Sequence, residues 1–161
     1  MKLPWPRYPL IYEINARVWV RELSLRHGTR TTLSTIPEEE IEAIARLGFD
    51  GVWLMGVWIT GSGPITIARK DGALRERYAQ AWPDWSEADV VGSPFAVSRY
   101  EVSGELGGPA ALASLRARLA YRGLRLLLDF VPNHTACDHH LISGRPEAYV
   151  HGTEDDLATE P

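Results

Sequence analysis

The sequence predicts an α/β fold built on a parallel sheet, and the order of its apolar segments is the main reason. Apolar runs at residues 10–14, 51–55 and 124–128 indicate three short strands. Helical patterns at about residues 35–48 and 107–123 lie between these runs. Strands that alternate with helices are joined by crossover connections, so the three strands are expected to run parallel.

The helix predicted between the first two strands has clear end signals. Thr35 and Glu38 have the spacing of a capping box, and Pro37 suits a first turn. Gly48 follows the last helical residues, as is common for a C-terminal cap. The polar stretch that precedes this helix, about residues 15–34, is expected to be an irregular connection.

The third predicted strand leads directly into the residues that point most clearly to function. Asp129, Asn133 and His134 follow it, around the turn at Pro132. Ligands of α/β sheets bind beyond the carboxyl ends of the strands, where the loops are free to vary. Asp129 alone would be explained well enough as a cap of the turn. The three polar side chains together favour a binding or catalytic site.

A long connection, residues 56–108, follows the second strand. It is rich in glycine and proline, and a short helix is predicted at about residues 74–81. Loops of this length inside a compact domain are usually functional. The tryptophans that this interpretation places in loops are Trp19, Trp58, Trp82 and Trp85. Their indoles either pack under the loops or stack against the flat apolar faces of sugars.

Length and composition exclude several classes of protein. The 161 residues suffice for one domain, and a net charge of −4 with scattered arginines argues against nucleic-acid binding. The single cysteine, Cys137, excludes an intrachain disulfide and fits a reducing compartment. Residues 1–6 lack the apolar core of a signal peptide, and no window reaches the length of a membrane span. We therefore expect a cytoplasmic protein with no membrane partner.

Five segments, in the same order along the chain, resemble conserved segments of the α-amylase superfamily of retaining glycoside hydrolases. The strongest is Asp129-Phe130-Val131-Pro132-Asn133-His134, which resembles a strand end of the form Asp-x-Val-x-Asn-His. The others resemble the first two barrel strands, a loop of the form Ser-Pro-Tyr-x-Val-x-x-Tyr and the start of the second helix. These four segments are residues 11–14, 49–55, 93–100 and 106–108.

The resemblance implies a partial (β/α)8 TIM barrel, with the first three strands, two helices and a long loop after strand two. Residues 1–161 then form a single incomplete domain, and residues 135–161 begin the loop or insert after strand three. Three strands cannot close an eight-stranded barrel, so the outer edges of the first and third strands would stay open. We therefore expect a homo-oligomer or a complementing chain.

The resemblance also implies an α-glucan or small α-glucoside as substrate, hydrolysed or transferred by a retaining mechanism. His134 would donate a hydrogen bond to the sugar, Tyr100 would line the site, and Phe95 would stack where many members have a tyrosine. Asp129 would orient its neighbours, typically an arginine. Asn133 would be a ligand of calcium, the one cofactor expected. The family's nucleophile and acid/base lie on strands four and five and have no counterpart here, so we expect weak catalysis or none from this chain alone.

Other interpretations remain open. A non-catalytic carbohydrate-binding or assembly module would bind maltooligosaccharides without cleaving them. An oligomeric half-barrel hydrolase would use other carboxylates, namely Asp71, Asp84, Asp89 or Asp129. Residues 134–140 contain imidazoles, a thiol and a carboxylate, which are groups that bind zinc. Structural zinc sites usually combine two separated ligand clusters, and the sequence shows no second one. The glycine pair at residues 107–108 is only a weak indication of phosphate binding.

Overall fold

A computed structural model describes residues 5–159. Residues 1–4, which belong to the stretch predicted not to be a signal peptide, and residues 160–161 lie outside this described part. The strands are β1 (Ile11–Asn15), β2 (Gly51–Met55), β3 (Trp58–Thr60), β4 (Val97–Val102) and β5 (Arg125–Leu128). The helices are α1 (Ala16–His27), α2 (Glu38–Arg46), α3 (Ser62–Lys70), α4 (Gly72–Ala81), α5 (Gly108–Tyr121), α6 (His140–Gly144) and α7 (Glu154–Thr159).

The predicted parallel sheet is confirmed. Strands β1, β2 and β5 lie side by side in that order, and both pairs are parallel. Their carboxyl ends, Asn15, Met55 and Leu128, therefore meet at one edge of the sheet. Within residues 5–159, β1 and β5 are the outer strands, as expected. The residues that follow each strand are thus brought together at this carboxyl edge.

The stretch predicted to be irregular after the first strand is instead largely helical. Helix α1 begins as soon as β1 ends, because the Asn15 side chain accepts hydrogen bonds from the backbone N–H groups of Arg17 and Val18. Gly28, with a φ of 66°, ends the helix in the left-handed conformation. Trp19 consequently lies in a helix rather than in a loop.

Helix α2 begins at the predicted place, but the predicted capping box is wrong. Pro37 precedes the helix and no side chain caps it. The Thr35 hydroxyl accepts a hydrogen bond within its own turn. The Glu38 carboxylate instead pairs with Arg118 of α5, whose Nε lies at 2.5 Å, and with Arg122, the residue that follows α5, at 2.6 Å. These ion pairs hold the two crossover helices together.

The core lies between the sheet and the helices that connect its strands. Its buried apolar side chains come from both kinds of element: Ile14, Ala16, Val20, Leu23, Ile41, Ile44, Val52, Leu54, Ala111, Leu115 and Leu119. Across residues 5–159, no helix combines the length and the apolar character that crossing a bilayer requires.

The long connection after β2 is more regular than expected. Helix α4 confirms the helix predicted near residues 74–81, but α3 and the antiparallel pair β3–β4 were not predicted. Trp58 lies in β3, so its placement in a loop was wrong. Glycine and proline suggested loops, yet antiparallel pairing between distant residues turns part of the connection into a second sheet.

Candidate functional site

Asp129, the residue after β5, joins the carboxyl ends of two strands. It is buried, with 7% of its surface exposed. Its carboxylate accepts a hydrogen bond from Trp53 Nε1 and another from the Gly56 backbone N–H, both at 2.7 Å. Its carbonyl oxygen accepts one from Trp58 Nε1 at 2.9 Å. Trp53 lies in β2 and Gly56 just beyond it, so Asp129 fastens the end of β5 to the end of β2.

The arginine partner that the resemblance implied for Asp129 is absent from the described residues. Two uncharged N–H donors occupy the carboxylate instead. Hydrogen bonds to a charged group are stronger than those between neutral groups, and a buried carboxylate needs them to offset its lost hydration. In this chain the contacts of Asp129 are those of a positioning residue.

Tyr100, predicted to line the site, holds the backbone just beyond Asp129. Its hydroxyl accepts a hydrogen bond from the Val131 N–H at 2.8 Å and lies 3.2 Å from the Val131 carbonyl oxygen, to which it donates. Its ring packs edge-on against Trp58, with centroids 5.4 Å apart, and lies 5.9 Å from the ring of Phe130. About half of Tyr100 and most of Phe130 remain exposed, which leaves an aromatic surface at the carboxyl edge.

Phe95 lies in the turn that leads into β4 and is half-buried. Its backbone N–H donates to the Ser93 hydroxyl at 3.2 Å, which shapes the turn. Directly after this turn, the Val97 carbonyl accepts a hydrogen bond from the Ala136 N–H at 3.0 Å. The turn that contains Phe95 therefore lies alongside the segment that follows His134.

Asn133 and His134 are both exposed. Within residues 5–159, neither side chain makes a hydrogen bond or an ion pair. Their polar atoms are thus available to a ligand, whereas the polar atoms of Asp129 and Tyr100 are already engaged by the protein.

Beyond His134, the chain is anchored again by Asp138. Its carboxylate accepts hydrogen bonds from the Gly63 N–H at 2.8 Å and from the Ser62 hydroxyl at 3.0 Å, at the start of α3. The Gly63 hydrogen bond is the main reason that the pKa of Asp138 lies below its ordinary value; Ser62 adds to the effect and burial opposes it. The approach requires a glycine at Gly61, where a Cβ would overlap an Asp138 carboxylate oxygen.

His139 connects this anchor to the following residues. Its Nδ1 accepts the Leu141 N–H at 3.2 Å and lies 3.3 Å from the Tyr149 hydroxyl, which in turn lies 3.0 Å from the Thr135 hydroxyl. Burial, followed by the neighbouring His140, lowers the pKa of His139, while Asp138 opposes the shift. The neutral ring is therefore the form that this arrangement favours.

The described residues give little support to a metal site. Among residues 5–159, no three His, Cys, Asp or Glu side chains are grouped so that they could hold a metal ion. The zinc hypothesis for residues 134–140 therefore fails, since the Asp138 carboxylate and the His139 ring serve as structural caps. Calcium takes about six to eight oxygen ligands, and Asn133 has no acidic cluster to complete such a set. The described residues do not fit calcium by themselves.

The sequence alone did not reveal several residues that build this region. The sequence predicts Trp53 only as part of a buried strand, and Gly56 and Gly61 only as glycines of a long connection. It suggests Asp138 only as a zinc ligand. A tryptophan shortly before a glycine at a strand end is only a weak signal for the contacts of Trp53 and Gly56. The contacts of Asp138 are not predictable from local sequence, because its partners are 75 and 76 residues away.

Solved structures share this fold, although no protein-family model and no curated protein matches the chain. An α-amylase from Lactobacillus plantarum matches 91% of the chain with a TM-score of 0.62 and 23% identity. A maltogenic α-amylase from Thermotoga neapolitana also matches 91%, with a TM-score of 0.59 and 24% identity. The α-glucosyl transfer enzyme XgtA matches 88%, with a TM-score of 0.54 and 19% identity.

The predicted resemblance to α-amylase-type enzymes is thereby confirmed at the level of the fold. The chain spans 28% of the length of each of the two amylases and 21% of the length of XgtA. It has the fold of one part of such enzymes.

Proposed function

We propose that this chain forms part of the sugar-binding side of an α-glucoside-processing active site. The observation that supports the proposal best is the segment from Asp129 to His134. It leaves the carboxyl edge of a parallel sheet, is held there by Asp129, and exposes the His134 imidazole. The structural neighbours include enzymes named as an α-amylase, a maltogenic α-amylase and an α-glucosyl transfer enzyme.

The proposed roles follow from the polar atoms and ring faces that each side chain leaves without a partner in the protein. His134 donates a hydrogen bond to a sugar hydroxyl, because its ring nitrogens have no partner among the described residues. The half-buried ring of Phe95 supplies a flat apolar surface for stacking, and Tyr100 borders the site with its ring. Asp129 supports the segment without touching the substrate.

The reaction of the whole enzyme would be retaining hydrolysis or transfer through a covalent glucosyl intermediate. The resemblance assigns the nucleophile and the acid/base to strands that have no counterpart in this sequence. Substrate binding is therefore the step that we assign to these residues. Calcium at Asn133 stays a prediction, and no step depends on it.

Titration with maltotriose tests the proposal, followed by calorimetry or by NMR shifts. His134→Ala should weaken binding about fivefold or more, the value of roughly one hydrogen bond. Phe95→Leu should weaken it as well, whereas Phe95→Tyr keeps the stacking surface and should not. His27→Ala, at an exposed position on α1, is the matched control. Equal affinities in the His134→Ala and His27→Ala variants would contradict the proposal.

The non-catalytic carbohydrate-binding module remains the second candidate, and binding without any turnover of a chromogenic α-glucoside favours it. The half-barrel hydrolase is supported less well, because most of its carboxylates have structural partners. Asp71 caps α4, Asp89 pairs with Arg21 and Ser86, and Asp129 is occupied as described above.

Self-association through the open edges of β1 and β5 also stays a prediction. Leu10, Ile11 and Tyr12 are exposed at the β1 edge, which is unusual for an outer strand of a monomer. Sedimentation of a compact 18.0 kDa monomer would contradict it.

A cytoplasmic location is proposed because the thiol of Cys137 is exposed and unpaired, which fits a reducing compartment.

A further inference from the structure

A cleft of about 980 Å³ opens between α1 and the helix pair α3–α4. Each of these helices contributes residues at helical spacing, so one stripe of each faces the cleft. The stripes are Val18, Arg21, Glu22 and Leu25 on α1; Pro64, Ile67 and Ala68 on α3; and Leu74, Tyr78 and Ala81 on α4. Trp82 and Trp85, just beyond α4, and Val90 and Val91 complete the wall.

Helix α1 is apolar on two sides, and only one of them serves the core. Ala16, Val20 and Leu23 are buried against the sheet, whereas Val18 and Leu25 line the cleft and are 51% and 72% exposed. Such apolar exposure, concentrated in a concave site of this volume, is typical of a ligand pocket.

Two of the three charged residues in the wall, Arg21 and Asp89, are engaged with each other, whereas Glu22 makes no hydrogen bond or ion pair within residues 5–159. Arg21 forms an ion pair with Asp89, and its guanidinium lies over the Trp82 ring at 5.6 Å. Arg75, which does not itself line the cleft, lies over the Trp85 ring at 5.1 Å. These contacts order the aromatic wall before any ligand binds.

The mostly apolar lining determines which ligand chemistry fits. Glu22 and the Tyr78 hydroxyl make no hydrogen bond within residues 5–159, but the other walls offer a buried sugar ring few donors and acceptors, and each of its unpaired hydroxyls would cost free energy. A flat aromatic group has no such requirement and can pack against Tyr78, Trp82 and Trp85. The lining therefore selects an aryl group over a second sugar.

The cleft borders the candidate sugar site. Ser93 lines it and also accepts the hydrogen bond that shapes the Phe95 turn. Cys137 lines it and lies in the segment between His134 and the Asp138 anchor. A ligand that spans both regions would have its sugar near His134 and its other end in the cleft.

We propose that this cleft binds the aryl aglycone of an α-glucoside whose sugar ring is held by His134 and Phe95. The inference rests on the proposed function, because it takes the sugar position from it. It adds a preference for glucosides of aromatic alcohols over glucosides of simple alkyl alcohols or of a second sugar.

Binding of 4-nitrophenyl α-D-glucoside, methyl α-D-glucoside and maltotriose to the chain tests the proposal. The aryl glucoside should bind about tenfold more tightly than the methyl glucoside, the gain expected from burying one aromatic ring. Trp82→Ala should remove that gain and leave the binding of methyl α-D-glucoside, which does not reach the cleft, unchanged. Ile67→Ser, at a 58% exposed position of the wall, repeats the test where the tryptophan change impairs folding. Tyr121→Ala, at an 88% exposed position of α5, is the control.

Saturation-transfer NMR supplies a second readout, since the aryl protons should receive magnetisation in the unaltered chain and lose it in Trp82→Ala. If maltotriose binds but the aryl glucoside has no advantage, the proposed function stands and this inference is overturned. If 4-nitrophenol binds as well as its glucoside and maltotriose does not bind, the sugar site fails and the aglycone assignment fails with it. If the aryl advantage is absent and Ile67→Ser lowers the mass in sedimentation, the cleft is instead a contact between copies of the chain.

Discussion

The contacts of Asp129 predict that the effects of Asp129→Asn and Trp53→Phe on the free energy of unfolding are not additive. Two N–H donors, from Trp53 and Gly56, converge on the Asp129 carboxylate at 2.7 Å each. Asp129→Asn offers one acceptor oxygen and one NH2 group, so one donor must face another donor in a buried site. Loss of a charge-assisted hydrogen bond together with an unsatisfied donor should cost about 2–4 kcal/mol.

The cost should depend on which donors remain. Trp53→Phe alone loses one charge-assisted hydrogen bond, worth about 1.5–3 kcal/mol. In that background, the amide oxygen introduced by Asp129→Asn can accept from the Gly56 N–H, while the amide NH2 group faces the space that the indole N–H has left. Asp129→Asn should then cost only about 1 kcal/mol, which gives a coupling of about 1–3 kcal/mol between the two sites.

Urea unfolding followed by far-ultraviolet circular dichroism measures these free energies, and it does not depend on the number of tryptophans. Trp85→Phe is the matched control, because Trp85 packs against Tyr78 and Arg75 and does not contact Asp129. Asp129→Asn should cost as much in the Trp85→Phe background as in the unaltered chain. Equal costs in the Trp53→Phe background as well would refute the assignment of Asp129 as the link between the two strand ends.

Three further changes probe other contacts. Gly61→Ala should release the segment after His134, because the new Cβ would overlap the Asp138 carboxylate; hydrogen exchange of that segment should accelerate. The pKa of His139 is lowered in the folded state, so this residue contributes stability above its ordinary pKa of 6.5 and loses that contribution as the pH falls below it. His139→Gln should therefore reduce the loss of stability below pH 6.5, measured by urea unfolding. Arg118→Ala should destabilise the chain by about 1–3 kcal/mol in urea unfolding, because Arg118 joins Glu38 on α2 to the backbone before that helix.

Controls for these changes are available at comparable positions. Gly144→Ala adds a Cβ that meets nothing within 4 Å and should leave exchange unchanged. His27→Gln, at an exposed position outside the contacts of His139, is the control for the histidine change. Arg116→Ala removes an exposed arginine of the same helix as Arg118 and should cost little. Equal effects of a change and its control would contradict the corresponding contact.

The parallel sheet and the segment after its third strand were predictable because their signals are local. A short apolar run followed by Asp129, Pro132 and His134 marks a buried strand and its carboxyl end without reference to the rest of the chain. The sequence does not predict helix α1, because its two apolar stripes, one facing the core and one facing the cleft, overlap into a pattern without a clear period. Its end signals, Asn15 and Gly28, were nevertheless present in the sequence.

The contacts that build the candidate site could not be predicted, because each joins residues far apart in sequence. Asp129 meets partners 71 to 76 residues away, and its resemblance to the family suggested an arginine instead of Trp53. The sequence suggests metal binding by Asp138 because the neighbouring histidines and Cys137 are residue types that bind zinc. Only the three-dimensional arrangement shows that the start of α3 occupies its carboxylate.

The two anchors have a consequence for ligand binding that neither has alone. Asp129 holds the segment at β5, and Ala136 and Asp138 hold it at β4 and α3, so His134 lies on a short loop that is fastened at both ends. A side chain on such a loop loses less freedom when it binds a ligand than one on a free loop. Substitution at either anchor should therefore weaken sugar binding while the His134 side chain itself is unchanged. The carboxylates of Asp129 and Asp138, which are hydrogen-bonded within the protein, thus position the exposed imidazole of His134 for ligand binding.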